Sequence, residues 1–280
     1  MGLSWPVFGA VLFGALLHAS WNALVKSSTD KSLDMAVIHL IGSVLAIPLV
    51  AIVGWPSAAA WPFIATSVVI HIGYYIATTQ AYEHGDLGLT YPLMRGVAPM
   101  LVALSATFTL RETPTPLVWV GILGICCGVL VLGLSRHALN AHKAVGFALT
   151  NAVIIAAYTV VDALGVRASG HALQYVAALF LFDGWPFALL MFARRGRAMG
   201  HYAHQRWPVA TVGALASLGS YGIALWAMTQ APVATVAALR ETSVLFAVWM
   251  GTWFLKEAFT LRRMLGTCAI VGGVMAIRLA

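Results

Sequence analysis

Charge is what this chain has least of. Only 9% of its 280 residues are Asp, Glu, Lys or Arg, where soluble domains carry roughly 25%. A chain so poor in charge cannot clothe a separate solvated domain. Cysteine is scarcer still. Cys126, Cys127 and Cys268 all fall in apolar stretches with no histidine at metal-ligand spacing, so no metal site is expected and the three read as small apolar packers. Nine acidic residues form no HExxH, no paired carboxylates and no nucleophile elbow. A membrane-embedded enzyme is therefore the weaker reading, with no catalytic residue and no cofactor expected. Lys and Arg number 16 and give a net charge of +7, but they are confined almost entirely to short connections. Such a distribution suits anionic lipid headgroups. Nucleic acid is not expected as a partner, since no solvated basic surface with stacking aromatics is available.

Apolar residues, by contrast, make up 61% of the chain, and the mean hydropathy is +0.88. Crossing the hydrocarbon takes about 20 mostly apolar residues as helix. Ten stretches qualify, near 5–25, 33–53, 61–82, 87–110, 115–134, 143–163, 171–193, 208–230, 232–255 and 260–279. The first lacks a basic leader and a clear small-x-small cleavage site, so it is expected to be a span rather than a signal peptide. The expected fold is an all-α integral membrane protein of ten transmembrane helices.

The sequence also echoes itself at a shift of 145 positions. Arg95 and Arg240 each lie inside an apolar stretch, and fifteen residues after each comes a basic-acidic exit, Leu110-Arg111-Glu112 and Leu255-Lys256-Glu257. The same shift superposes Thr115 on Thr260, Gly121 on Gly266, Ile125 on Ile270, Gly128 on Gly273 and Val129 on Val274. The boundary is expected near 135–142, dividing a first five-helix unit, 1–134, from a second, 143–280. Five spans per unit force the second to enter the membrane upside down, an inverted repeat of the kind common in secondary transporters. Loop charges agree. The connections after spans 1, 3, 5, 7 and 9 hold eleven Lys and Arg, and the remaining connections and tails hold three. Under the positive-inside rule this puts both termini outside the cytoplasm.

Polar groups inside lipid are costly and usually face a cavity. On span 3, His71, Tyr74, Tyr75, Thr78 and Tyr82 recur at helical spacing; His18, Trp21 and Asn22 do so on span 1. Span 6 offers Asn151, Tyr158 and Asp162, and span 8 offers Tyr221 and Trp226. Trp5, Trp55, Trp61 and Trp207 flank spans and suit the interfacial belt instead. Arg95 and Arg240 each lie about 12 Å into a span at 1.5 Å per residue, where an arginine costs at least about 2.5–3.5 kcal/mol. Each must meet a carboxylate, a helix end or a substrate. Pro92 and Pro99 bracket Arg95 and are expected to break span 4 around it. Glu241, next to Arg240, need not pair with it, because neighbouring helical residues point about 100° apart. Asp183 and Glu241 are candidates for proton coupling; for Asp183 the alternative is a neutral, hydrogen-bonded acid beside a proline kink. Glu112 and Glu257, with Thr115 and Thr260, are read as caps for the helices that follow them. Glycines in spans 5 and 10 either pack within the chain or form a homodimer seam.

The paired exits after spans 4 and 9, the glycine-rich spans that follow, and His18-Ala19-Ser20-Trp21-Asn22 resemble the drug/metabolite transporter superfamily, specifically its EamA-type members. Ala156-Ala157-Tyr158 and Tyr74-Tyr75 are similar to segments lining the cavity of bacterial YddG-type amino-acid exporters. The resemblance implies a carrier in the cell inner membrane that exports a small-molecule substrate, an amino acid or related metabolite, by alternating access. A drug, nucleotide sugar or other metabolite is the alternative cargo. The expected substrate-binding set is His18, Trp21, Asn22, His71, Tyr74, Tyr75, Thr78, Arg95, Tyr158, Tyr221, Trp226 and Arg240.

Overall fold

The structure is a computed structural model that describes residues 3–85, 87–133, 141–254 and 260–280. Its described residues form helices α1 (Trp5–Lys26), α2 (Lys31–Val53), α3 (Trp61–His84), α4 (Leu87–Thr109), α5 (Pro116–Gly133), α6 (His142–Ser169), α7 (Ala172–Arg195), α8 (Arg197–Gln230), α9 (Val233–Arg240), α10 (Ser243–Phe254) and α11 (Leu261–Leu279), with a short 3₁₀ turn at Ala58–Ala60. Helix is the physical solution for such apolar runs, because lipid cannot satisfy the backbone N–H and C=O groups. Among the described residues nine segments, α9 and α10 counting as one, are long and apolar enough to cross a membrane. The tenth expected span, α11, is 19 residues long, about 28 Å of helix, and carries Arg262, Arg263 and Arg278 at its ends. The chain is a multi-pass membrane protein.

The helices pack as α3 on α6, α1 on α8, α2 on α7 and α5 on α11, with α4 wedged between α5 and α6. The α5–α11 seam explains the glycine echo. A Cβ on Gly121 would lie 2.7 Å from the Gly273 carbonyl oxygen, and one on Gly128 would lie 2.7 Å from that of Gly266. The close approach is between two helices of the same chain. Caps follow ordinary rules: the Asp30 carboxylate accepts the Leu33 N–H at 3.0 Å, Thr115 accepts Val118 N–H at 3.3 Å, and Thr260 accepts Arg263 N–H at 3.3 Å.

Three expectations are corrected. First, the segment before span 8 is not a loop: α8 begins at Arg197 and runs 34 residues. Gly196, at φ +53°, provides the turn between α7 and α8 that a side chain resists. The basic residues there are not all free for lipid, since Arg206 Nε lies 3.2 Å from the buried Asp34 carboxylate, which also accepts the Tyr202 hydroxyl at 3.1 Å. Second, span 4 is unbroken: α4 continues through Pro92 and Pro99. Span 9 is interrupted instead. The N–H groups of Glu241, Thr242, Val244 and Leu245 each reach back three residues, at 2.9–3.1 Å, the tightened geometry of 3₁₀ structure, which in mid-helix often marks a hinge. Third, Glu112 does not cap α5. Its Oε2 accepts the Val233 N–H at the start of α9 at 2.8 Å, and its Oε1 lies 2.6 Å from Arg167 Nη2 at the end of α6. Lys256, Glu257 and most of the 135–142 boundary fall outside the described residues.

Candidate functional site

One cavity lies among α1, α2, α3, α6, α7, α8 and α9. Its volume is about 50 Å³, and it is lined by His18, Trp21, His39, His71, Tyr74, Tyr75, Tyr158, Leu179, Phe180, Asp183, Ser217, Ser220, Tyr221 and Arg240. That is room for a few waters, so a metabolite would need the surrounding helices to open.

Local sequence fixes the floor of this cavity. Pro186 leaves a gap in the hydrogen-bond ladder of α7. Just before it, Ser43 of α2 donates its hydroxyl to the Phe180 carbonyl at 2.6 Å and accepts the Gly184 N–H at 3.1 Å. Phe180 and Gly184 are the pair an undisturbed helix bonds directly. Gly184 permits the contact, since a Cβ there would collide with the His39 carbonyl oxygen. Asp183 is thereby held beside α2 and α3. The Tyr75 hydroxyl donates to Asp183 Oδ2 at 2.5 Å and lies 3.1 Å from His39 Nδ1. His71 lies 3.9 Å from Asp183 Oδ1, and its ring stacks on Tyr158 at 4.4 Å between centroids.

The other wall is built on α1 and the interrupted span. The Trp21 indole N–H donates to His18 Nδ1 at 3.3 Å. The Arg240 guanidinium sits over the Tyr221 ring, 5.3 Å from its centroid, an arrangement favourable to a cation. Tyr221 in turn donates its hydroxyl to Asp162, which also accepts the Tyr175 hydroxyl at 2.8 Å. Among the described residues no carboxylate lies within ion-pair distance of Arg240.

The structure therefore gathers His18, Trp21, His71, Tyr74, Tyr75, Tyr158, Asp183, Tyr221 and Arg240 around one space. It places five expected residues elsewhere. Arg95 and Glu241 are buried against each other, with Nε 2.8 Å from Oε2 and Nη2 2.8 Å from Oε1. Arg95 thus meets a carboxylate, as its burial requires, and each charge neutralises the other away from the cavity lining. Thr78 accepts the Asn151 amide at 3.0 Å within the α3–α6 contact. Asn22 donates back to the His18 carbonyl at 2.8 Å. Trp226 is 37% exposed and does not line the cavity.

His39, Ser217 and Ser220 also line the cavity, outside the expected set. His39 is open to the argument applied to His71, since it is a lone ionisable group well inside an apolar run. The serines carry no signal that separates them from ordinary small residues in membrane helices. Among the described residues no three His, Cys, Asp or Glu converge in a way that could hold a metal.

Fold and site together define a polytopic helical membrane protein with a buried, polar-aromatic cavity beside an interrupted span. Residues 142–279 match the model of the EamA-like transporter family, so the second half of the chain carries an EamA-like domain. One solved crystal structure superposes over 99% of this chain and 98% of its own, with a TM-score of 0.78 at 18% identity. At that identity the similarity shows the fold alone. No curated protein is matched by the sequence.

Proposed function

We propose that this chain is a secondary transporter, resident in a bacterial inner membrane, that exports small polar metabolites, amino acids among them, by alternating access around the central cavity. The observation that carries the reading is the cavity itself. Charged and aromatic side chains from seven helices converge on it, and Arg240 lies at the end of α9, where span 9 is interrupted. Intramembrane ionisable groups around a cavity mark a transport path, and carriers often place substrate groups at discontinuous helices. The EamA-like match over residues 142–279 supports the same class.

In this reading the two halves are inverted five-span repeats. The packing supports it: moving every span along by five exchanges the α3–α6 and α1–α8 contacts and returns the α2–α7 and α5–α11 contacts to themselves. The positive-inside count then sets both termini outside the cytoplasm, and a cytoplasm-only reporter active when fused to Ala280 would reverse that orientation. The function is tested by flux. Proteoliposomes holding the full chain should show saturable counterflow for at least one member of a labelled panel of amino acids and other small polar metabolites. Folded protein that gives no saturable flux across the panel would refute a carrier.

A further inference from the structure

The polar atoms around the cavity separate by sign. The Tyr75 hydroxyl donates its hydrogen bond to Asp183 Oδ2, so toward His39 its oxygen can only accept. The 3.1 Å contact to His39 Nδ1 therefore places the imidazole proton on Nδ1 and leaves Nε2 of the neutral ring a bare acceptor. His39 Nε2 and Asp183 Oδ1 are both buried, and among the described residues both lack a hydrogen-bond partner. Their residues are 9% and 7% exposed. Two unsatisfied acceptors, one of them a carboxylate oxygen, form one pole.

At the other pole the network runs the opposite way. The Trp21 indole can only donate, so His18 Nδ1 accepts, and the proton of the neutral ring must sit on Nε2, which becomes a donor. His18 and Arg240 line the same cavity. Arg240, 7% exposed, has a buried Nε with no hydrogen-bond partner among the described residues. Arg95 is paired with Glu241, and each oxygen of Asp162 accepts a tyrosine hydroxyl. Arg240 and Asp183 each keep a buried polar atom with no hydrogen-bond partner among the described residues, and a chain of contacts through the rings of Tyr221 and His71 links them. Burying a charge uncompensated is costly, and unsatisfied buried polar atoms call for a partner.

We propose that the cavity is a dipolar receptor for an α-amino-acid zwitterion, with the substrate ammonium taken by Asp183 and His39 and its carboxylate by Arg240 and His18. An ammonium brings three donors to the bare acceptors, and a carboxylate brings acceptors to the unpaired donors. Trp21, Tyr74, Leu179 and Phe180 supply apolar surface for the side chain. The assignment rests on the transport reading above, and it goes further by fixing which group each pole recognises and by excluding substrates with one charge.

The test is calorimetric titration of the purified full-length protein with three probes of one shape: L-phenylalanine, L-phenylalaninamide, which keeps only the ammonium, and 3-phenylpropanoate, which keeps only the carboxylate. Phenylalanine should bind, and each single-charge analogue should bind at least about 30-fold more weakly, because it leaves one buried charge unpaired. Asp183→Asn should abolish the discrimination against 3-phenylpropanoate while keeping that against the amide, and Arg240→Gln should do the reverse. If either analogue binds wild type as tightly as phenylalanine, or if phenylalanine does not bind, the dipolar receptor is refuted. The wild-type comparison decides alone should a variant fail to fold. Flux of some other metabolite in proteoliposomes would still uphold the transport reading, so the two can fail separately.

Discussion

Spans 4 and 9 carry the same sequence echo and do opposite things with it. In span 4 the helix runs unbroken past two prolines, and its arginine is buried in an ion pair with Glu241. In span 9 no proline lies within the span after Pro232, yet the ladder tightens at Arg240-Glu241-Thr242, and its arginine reaches the cavity with no carboxylate at ion-pair distance among the described residues. The glutamate that neutralises Arg95 is thus supplied by span 9. Of the two positions related by the sequence echo, one is held in a buried ion pair and the other faces the cavity. Positions matched in sequence need not share a chemistry, because the partner each one finds decides it.

That contrast can be broken by removing partners. Glu241→Ala leaves the Arg95 charge buried and alone, and should cost about 3–5 kcal/mol, read as a large fall in the thermal unfolding midpoint in detergent. Replacing the pair together, Arg95→Met with Glu241→Met, should recover most of that loss, since an apolar pair of similar volume is often neutral or better than a buried ion pair. Arg240→Met should behave differently: stability unchanged or raised, flux abolished. If Arg240→Met destabilised as much as Glu241→Ala, the division between buried ion pair and cavity group would be wrong.

The glycine seam tests whether the echo extends into packing. A Cβ on Gly121 would come 2.5 Å from Ile277 Cγ1, and one on Gly266 would come 2.6 Å from Leu132 Cγ. Alanine at either echo mate should cost about 1–3 kcal/mol by overpacking, and the two losses should be alike. At Gly272, next along α11 to the seam residue Gly273, a Cβ would meet nothing within 4 Å, and its alanine variant should stay within about 0.5 kcal/mol of wild type. Thermal unfolding of all three variants side by side measures the contrast. Unequal losses at Gly121 and Gly266 would mean that the two helices meet less symmetrically than their sequences suggest.

How much of this is legible in the sequence follows the range of each interaction. The spans are readable because hydropathy is local, and most cavity residues are readable because a polar group in lipid has few other uses. Proline points to a break in span 4, whereas the interruption lies in span 9. Span 9 shows another signal: Arg240-Glu241-Thr242-Ser243 is four polar residues in succession inside an apolar span, and Thr242 donates its hydroxyl to the Leu239 carbonyl at 2.7 Å, competing with the ladder. Thr78 and Asn151 are buried, as polar groups within spans should be, but the Asn151 amide donates to the Thr78 hydroxyl, and no single-span pattern reveals a partner 73 positions away. The role of Glu112 escapes a local reading for the same reason. Capping the next helix is the local answer, while the helix it caps begins 121 residues later.

Removing the bridge beneath the cavity should give a smaller effect. Ser43→Ala deletes a hydroxyl that both donates to Phe180 and accepts from Gly184, and about 1 kcal/mol is expected for such a hydrogen-bonding group. A fall in stability with ligand discrimination unchanged would mean that Ser43 only mends α7. A loss of discrimination as well would show that the bridge positions Asp183.

The smallest effect expected is a gain, at the exit from span 4. Arg111 is the one non-glycine among the described residues with positive φ, at +56°. The Glu112 N–H reaches back to the Ala106 carbonyl at 3.3 Å, the closing bond of a helix end that normally has glycine in the left-handed position. An L side chain there costs roughly 1–2 kcal/mol. Arg111→Gly removes that strain but gives the unfolded chain more freedom, an offset of about 0.4–1 kcal/mol. The net should be a stabilisation between about 0 and about 1.6 kcal/mol by thermal unfolding, with Glu112 still seated on α9 and Arg167. A destabilised Arg111→Gly would instead mean that the arginine side chain holds this turn, and that the basic residue in the repeated exit has a structural role of its own.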